Sequence, residues 1–246
     1  MPYLTVHGVR LYYSARARGN DVIVFVHGAG GNHLNWYYQL EFLDIPLTFI
    51  ALDLPGHGNS SGTPCDEISC YSEFLSDFIE KLDLDGKLIL AGHSMGGLVV
   101  LDYLLKHNKT HAAILVGSAC NLSRREPPKN PEEFCKNLFY SEESIKRCLK
   151  TADTILKRAK GVVEYDLKAA GKANLCDEIN KINIPILLII GEEDKLVNLE
   201  SVKRTAESLM KSELKVIPRA GHMVMIEKFQ EVNRIFSEWV GQLSKS

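Results

Sequence analysis

No run of the 246-residue chain approaches the ~18 consecutive apolar residues that a membrane-spanning helix requires, so no membrane span is expected. Nor does either charge dominate: 29 Lys and Arg stand against 31 Asp and Glu, a net charge of −2. A nucleic-acid partner calls for a basic face, and none is expected here. The first residues, MPYLTVHGVRLYYSARARGN, lack the basic start, apolar stretch and small-residue cleavage site of an export signal. The six cysteines, at 65, 70, 120, 135, 148 and 176, form no C-x-x-C pair, and no His/Cys group has zinc spacing. Without an export signal, the expectation is a cytoplasmic chain with six reduced thiols, mostly small apolar fillers. Cys65 and Cys70 flank one loop, but spacing alone does not pair them. Internal repeats and low-complexity tracts are also missing.

What is present is a regular alternation. The chain is 45% hydrophobic and of a length that supports one sizeable core. TVHG and RLYYSA read as an opening hairpin. Short, nearly continuous apolar runs follow at 22–27, 47–53, 87–92, 112–117, 184–191 and 214–219. Runs of this kind, apolar on both faces and too short for helices, suit buried parallel strands. Helical patterns separate most of them, at 33–43, 70–83, 95–107, 198–211 and 223–242. The predicted fold class is therefore α/β, a mostly parallel sheet with helices on both faces. Residues 121–180 break the rhythm. After Pro127, Pro128 and Pro131 they read as short charged helices (PEEFCKNLF, SEESIKRCLKTADTILKRAKG and VVEYDLKAAG), a helical cap inserted after the sixth strand. The expected division is a core of residues 1–120 and 181–246 and a cap of 121–180.

Ligands of open parallel sheets bind beyond the carboxyl ends of the strands. There the chain reads Gly92-His93-Ser94-Met95-Gly96, a G-x-S-x-G pattern at a strand-to-helix junction. The turn is sharp, so side chains two places either side of the serine would collide, and both places are glycine. Ser94 is the candidate nucleophile. A serine hydroxyl needs a base, and the base an orienting carboxylate. Among eight histidines, His222 directly follows the last strand in PRAGHMVMIE, at the same edge as Ser94, and is the candidate base. The carboxylate is sought after the 184–191 run, in GEEDKLV. Asp194 is chosen there, with Glu192 and Glu193 as solvated competitors. The equivalent place one strand earlier, VGSAC, holds no carboxylate. Oxyanion donors are expected from the backbone N–H groups of Met95 and of Ala29, the latter in the glycine-rich His27-Gly28-Ala29-Gly30-Gly31 loop.

Five motifs in order, VHGAGGN, LDLPGHGNS, AGHSMGG, IPILLIIGEEDKLV and AGHMVMIEK, make the chain resemble an α/β-hydrolase of the single-domain, lidded, esterase-like type. The resemblance covers roughly residues 3–120 and 180–243. It implies catalytic roles for Ser94, Asp194 and His222, an oxyanion hole at Ala29 and Met95, and structural roles for Asp53 and His57. It excludes the haloalkane dehalogenases and epoxide hydrolases of this fold, whose nucleophile is aspartate. The implied activity is carboxylic ester hydrolysis on a small-molecule substrate, with neither metal nor organic cofactor. A thioesterase, a lactonase or a carbon–carbon bond hydrolase would use the same triad, and a small-molecule receptor with weak hydrolysis is a reading of another class. Leu122, Phe134, Phe139, Val197 and Met223 are the candidate substrate contacts. Oligomeric state has no signature in the chain.

Overall fold

The computed structural model of the chain describes residues 2–243, so Met1 and the last three residues of the expected core lie outside the described residues. The described residues form eight strands: β1 (Tyr3–Val6), β2 (Val9–Arg16), β3 (Val22–Val26), β4 (Thr48–Leu52), β5 (Leu88–His93), β6 (Ala112–Val116), β7 (Ile186–Gly191) and β8 (Ser212–Ile217). They make one sheet in the order β1-β2-β4-β3-β5-β6-β7-β8. Antiparallel pairing is confined to β1 with β2 and β2 with β4; from β4 to β8 every pairing is parallel.

The central runs look uniformly apolar because successive residues serve two different cores. Val22, Val24 and Val26 of β3 face one side, with Leu88 and Leu90 of β5 and Leu188 of β7. Helices α2 (Ile68–Leu82), α3 (Met95–Lys106) and α8 (Leu199–Ser208) cover that side through Tyr71, Leu75, Leu98 and Val202. Ile23, Phe25, Ile89, Ile114 and Ile189 face the other side, against Trp36, Leu40, Phe236 and Trp239. That side is closed by α1 (Tyr37–Phe42) and the C-terminal α10 (Phe229–Leu243). Period-two alternation thus survives in which core a residue enters. Phe25, fully buried with its ring 4.8 Å from that of Trp36, stabilises this layer by about 1.5–3 kcal/mol.

Four α-helices lie between β6 and β7: α4 (Pro131–Leu138), α5 (Glu142–Leu149), α6 (Ala152–Ala159) and α7 (Val163–Lys172). Their starts are written locally. The Asn130 side chain accepts from Glu133 N–H ahead of Pro131, and Ser141 accepts from Ser144 N–H. The long middle pattern is broken after Lys150, where Thr151 leaves helical geometry and Ala152 becomes fully buried. The last helical pattern is likewise two helices, a short α9 (Val224–Glu227) and α10, because Lys228 turns between them.

The reduced-thiol expectation is overturned. The six cysteines form three disulfides, Cys65–Cys70, Cys120–Cys176 and Cys135–Cys148, and no free cysteine occurs among the described residues. Cys120 follows β6 and Cys176 follows α7, so this bond crosses the neck where the insertion leaves and rejoins the sheet. The neck is also held by the Leu175 N–H donating to Cys120 O at 2.9 Å and a bridge between Asn121 and Asn174. Cys135–Cys148 ties α4 to α5. Two of the three pairs are 13 and 56 residues apart in sequence, and only the fold brings them together.

Candidate active site

Ser94 lies between β5 and α3 with φ 53° and ψ −120°. That left-handed conformation costs a non-glycine residue about 1–3 kcal/mol, and the surroundings hold it. Ser94 N–H donates to Val116 O at 2.9 Å, while Ser94 O accepts from Gly97 N–H at 2.9 Å and from the Ser118 hydroxyl at 2.8 Å. The flanking glycines are obligatory for space. A Cβ on Gly92 would lie 2.3 Å from Gly96 O, and one on Gly96 would lie 2.4 Å from Val26 O of the neighbouring strand.

His222 sits in the loop between β8 and α9 and is buried. Its Nδ1–H donates to Asp194 Oδ2 at 2.8 Å, which leaves Nε2 as the free ring nitrogen. Asp194, in the turn after β7, is itself oriented: Oδ1 accepts from Leu196 N–H at 2.7 Å and Val197 N–H at 2.9 Å. Of its competitors, Glu192 is exposed. Glu193 is not solvated as expected, because Oε2 accepts the Ala220 N–H at 2.9 Å.

A cavity of about 1570 Å³ opens over the carboxyl ends of the strands. Ser94, His222, Ala29 and Met95 line it, and so do the expected contacts Leu122, Phe134, Phe139, Val197 and Met223. Asp194 stands behind His222, off the cavity wall. The glycine-rich loop passes close to the serine, since a Cβ on Gly28 would lie 3.1 Å from Ser94 Cβ and 2.9 Å from His93 Nδ1.

The other histidines divide by their partners. His93 Nε2–H donates to His222 O at 3.1 Å, with the two rings 4.6 Å apart. Complete burial and the neighbouring His222 push the His93 pKa well down, so His93 is neutral. His27 is also neutral: burial and the adjacent His57 lower its pKa, its Nδ1–H donates to Gly28 O and its Nε2 accepts from Leu54 N–H. Burial pushes the Asp53 carboxyl up, but the His33 ring and the backbone N–H groups of Asn59 and His33 hold it below the usual range. Among the described residues, no cluster of His, Cys, Asp or Glu is placed to hold a metal ion.

Charged side chains link the insertion to the site loops, and sequence reasoning missed the contacts they make. Glu227 accepts from Gly221 N–H beside His222 and from Tyr140 and Ser141 N–H in the insertion. Burial raises the Glu227 pKa, but these donors outweigh it and hold the carboxyl below its ordinary range. Arg125 donates to Lys195 O and Leu196 O in the turn that carries Asp194. Asp166 of α7 accepts from Gly30 N–H in the glycine-rich loop at 2.7 Å. Single charged residues on solvated-looking segments carry no local signal for such roles.

Residues 23–235 match the family described as the alpha/beta hydrolase family. The chain is 24% identical to the dihydrolipoyllysine-residue acetyltransferase component of the acetoin cleaving system of Cupriavidus necator, over 97% of this chain and 68% of that protein. It is 24% identical to the 2-hydroxy-6-oxo-6-(2'-aminophenyl)hexa-2,4-dienoic acid hydrolase of Metapseudomonas resinovorans, over 92% of this chain and 85% of that one. A solved thermophilic esterase superposes with a TM-score of 0.84 at 26% identity, covering 98% of this chain and 97% of that one. The chain spans about two thirds or less of the length of several of the curated relatives it matches.

Proposed function

The chain belongs to the alpha/beta hydrolase family, and from that membership we propose that it is a serine hydrolase that cleaves carboxylic esters of small acyl substrates. The observation that carries this reading is the His222–Asp194 hydrogen bond of 2.8 Å on the cavity that also exposes Ser94 in its strained turn. Ser94 Oγ attacks the acyl carbon while His222 Nε2 takes its proton. The N–H groups of Ala29 and Met95 receive the oxyanion. His222 then protonates the departing alcohol, and water repeats the sequence on the acyl-enzyme. Asp194 keeps the imidazole in the tautomer that leaves Nε2 basic and stabilises its charged form. The steps draw on no metal or organic cofactor.

In this reading residues 121–180 form the cap over a core of 1–120 and 181–246, and the cap supplies Leu122, Phe134 and Phe139 to the acyl side. Among the described residues no helix is long and apolar enough to cross a membrane. The three disulfides weigh against the cytoplasmic expectation, because such bonds persist chiefly in oxidising surroundings.

The test is Ser94→Ala on a p-nitrophenyl ester, with a fluorophosphonate probe as a direct label of the serine. The expected loss in kcat is about 10⁴-fold or more, as in other triad knockouts. A variant retaining a tenth of the activity refutes the nucleophile.

A second reading, carbon–carbon bond hydrolysis, is favoured by the cavity's size and by the Metapseudomonas relative. Of the lining arginines, Arg125 is engaged by backbone carbonyls and Arg147 by Glu143, which leaves Arg124 and Arg158 for a second carboxylate. Turnover of a ring-cleavage diketone above that of short acyl esters would select it. Tight ligand binding with turnover far below ~1 s⁻¹ would instead select a receptor.

A further inference from the structure

Asp166 is fully buried, comes from α7 of the insertion, and turns its carboxylate onto three core groups. Its Oδ2 accepts from Gly30 N–H at 2.7 Å and from His57 Nε2–H at 2.7 Å; its Oδ1 accepts from the Tyr71 hydroxyl at 2.5 Å. The other nitrogen of His57, Nδ1, lies 2.9 Å from Pro55 O. A carbonyl and a carboxylate are both acceptors, so each ring nitrogen carries a hydrogen and His57 is an imidazolium. The insertion also rests directly on the glycine-rich loop: a Cβ on Gly30 would lie 3.4 Å from Ala159 Cβ and 3.5 Å from Val163 Cβ.

We propose that Asp166 is a positioning residue for the oxyanion hole, gripping the Gly30 peptide so that the adjoining Ala29 N–H is held toward the reacting carbonyl. The inference rests on the ester-hydrolase reading above. The peptide between Ala29 and Gly30 and the peptide that carries the Ala29 N–H share one Cα. Fixing the first limits the second to rotation about the two bonds at that Cα. The turn closed by Gly31 N–H on Gly28 O, at 3.0 Å, removes most of what remains.

His57 completes the device electrostatically. A lone carboxylate beside the hole would repel the oxyanion, whereas a carboxylate–imidazolium pair presents no net charge. The groups that face His57 are Asp166 from α7, Tyr71 from α2, Pro55 O from its own loop, His27 from the end of β3 and Asp53 after β4. Burial opposes the charge on His57, but Asp166, Pro55 O and Asp53 together raise its pKa. At a pH high enough to deprotonate His57, the clasp keeps the carboxylate, loses the cation and loosens its hold.

The experiment compares Asp166→Asn with wild type on p-nitrophenyl acetate and follows hydrogen exchange at the Gly30 amide. Ile235→Ala, a core truncation in α10 on the other side of the sheet from α2, controls for lost stability. The proposal expects a protected Gly30 amide in wild type, lost protection in Asp166→Asn, and kcat down about tenfold or more with KM within about twofold. That split follows because the oxyanion exists only in the transition state. Ile235→Ala should lower the melting temperature and leave kcat near wild type. An unprotected Gly30 amide in wild type, or an Asp166→Asn kcat within twofold, overturns the proposal. Where Asp166→Asn does not fold, wild type decides: kcat and Gly30 protection must fall together as pH rises through the His57 transition, and anything else overturns it. A wild type that turns over no ester sinks the hydrolase reading, while Gly30 exchange still judges the clasp.

Discussion

Replacing Cys120 and Cys176 together by alanine removes the bond across the neck of the insertion. The two residues are 56 apart in sequence, so the bond closes a long loop in the unfolded chain. Chain-entropy reasoning for a loop of that size assigns it about 4 kcal/mol. For a protein of this length each kcal/mol moves the melting temperature by about 2–4 °C, so the pair should be worth roughly 8–16 °C. The neck keeps its backbone hydrogen bond and its Asn121–Asn174 bridge, and the insertion keeps its Glu227, Arg125 and Asp166 contacts with the core. The proposed esterase activity at 25 °C should therefore survive in the double variant while its thermal transition drops. Calorimetry of wild type and variant, with and without dithiothreitol, provides the measurement. Wild type should lose more on reduction than the variant does. A shift below 2 °C, or six titratable thiols in wild type unfolded without reductant, refutes the reasoning.

Raising the pH should erode what His57 contributes to stability. Its folded pKa lies above its unfolded value of ~6.5, so the native state binds the extra proton and stability falls with pH between the two values. The stability gap between wild type and His57→Gln, measured by urea unfolding, should be full below pH ~6.5 and shrink above it; a gap that widens contradicts the buried pair. Gly96→Ala places a Cβ 2.4 Å from Val26 O, a backbone atom of the buried strand β3 against which the start of α3 is packed. A loss of about 2 kcal/mol or more is expected, read as a lower urea midpoint; a stable, active variant would mean that the elbow is looser than described.

Much of this molecule was legible along the chain. The runs in β3, β5, β6 and β7 are short, apolar and β-branched, and that pattern has few uses other than a doubly covered parallel strand. The elbow was legible because glycines at 92 and 96 leave a mark at fixed spacing, Gly92 through a local clash with Gly96 O and Gly96 through the neighbouring strand at Val26 O. The meeting of His222 with Asp194 was legible because each follows a strand at the same edge of the sheet; their catalytic roles belong to the proposal. Boundaries slipped where tertiary contacts intervened. Lys228 divides the last helical pattern because Glu227 is turned back toward Gly221 and the insertion. Glu193 reads as a solvated acid, yet its partner Ala220 lies 27 residues away.

The order of secondary elements, the strand–turn–helix carrying Ser94 and the polarity of each strand face are properties of neighbours in sequence, and the chain alone determined them. The cysteine pairing, the cavity's dimensions and the hold of Asp166 on Gly30 were decided only by the tertiary structure. Each depends on groups tens to more than a hundred residues apart whose meeting has no local energetic signature, because a carboxylate or thiol on a polar helix looks the same in sequence whether it meets water or a buried partner.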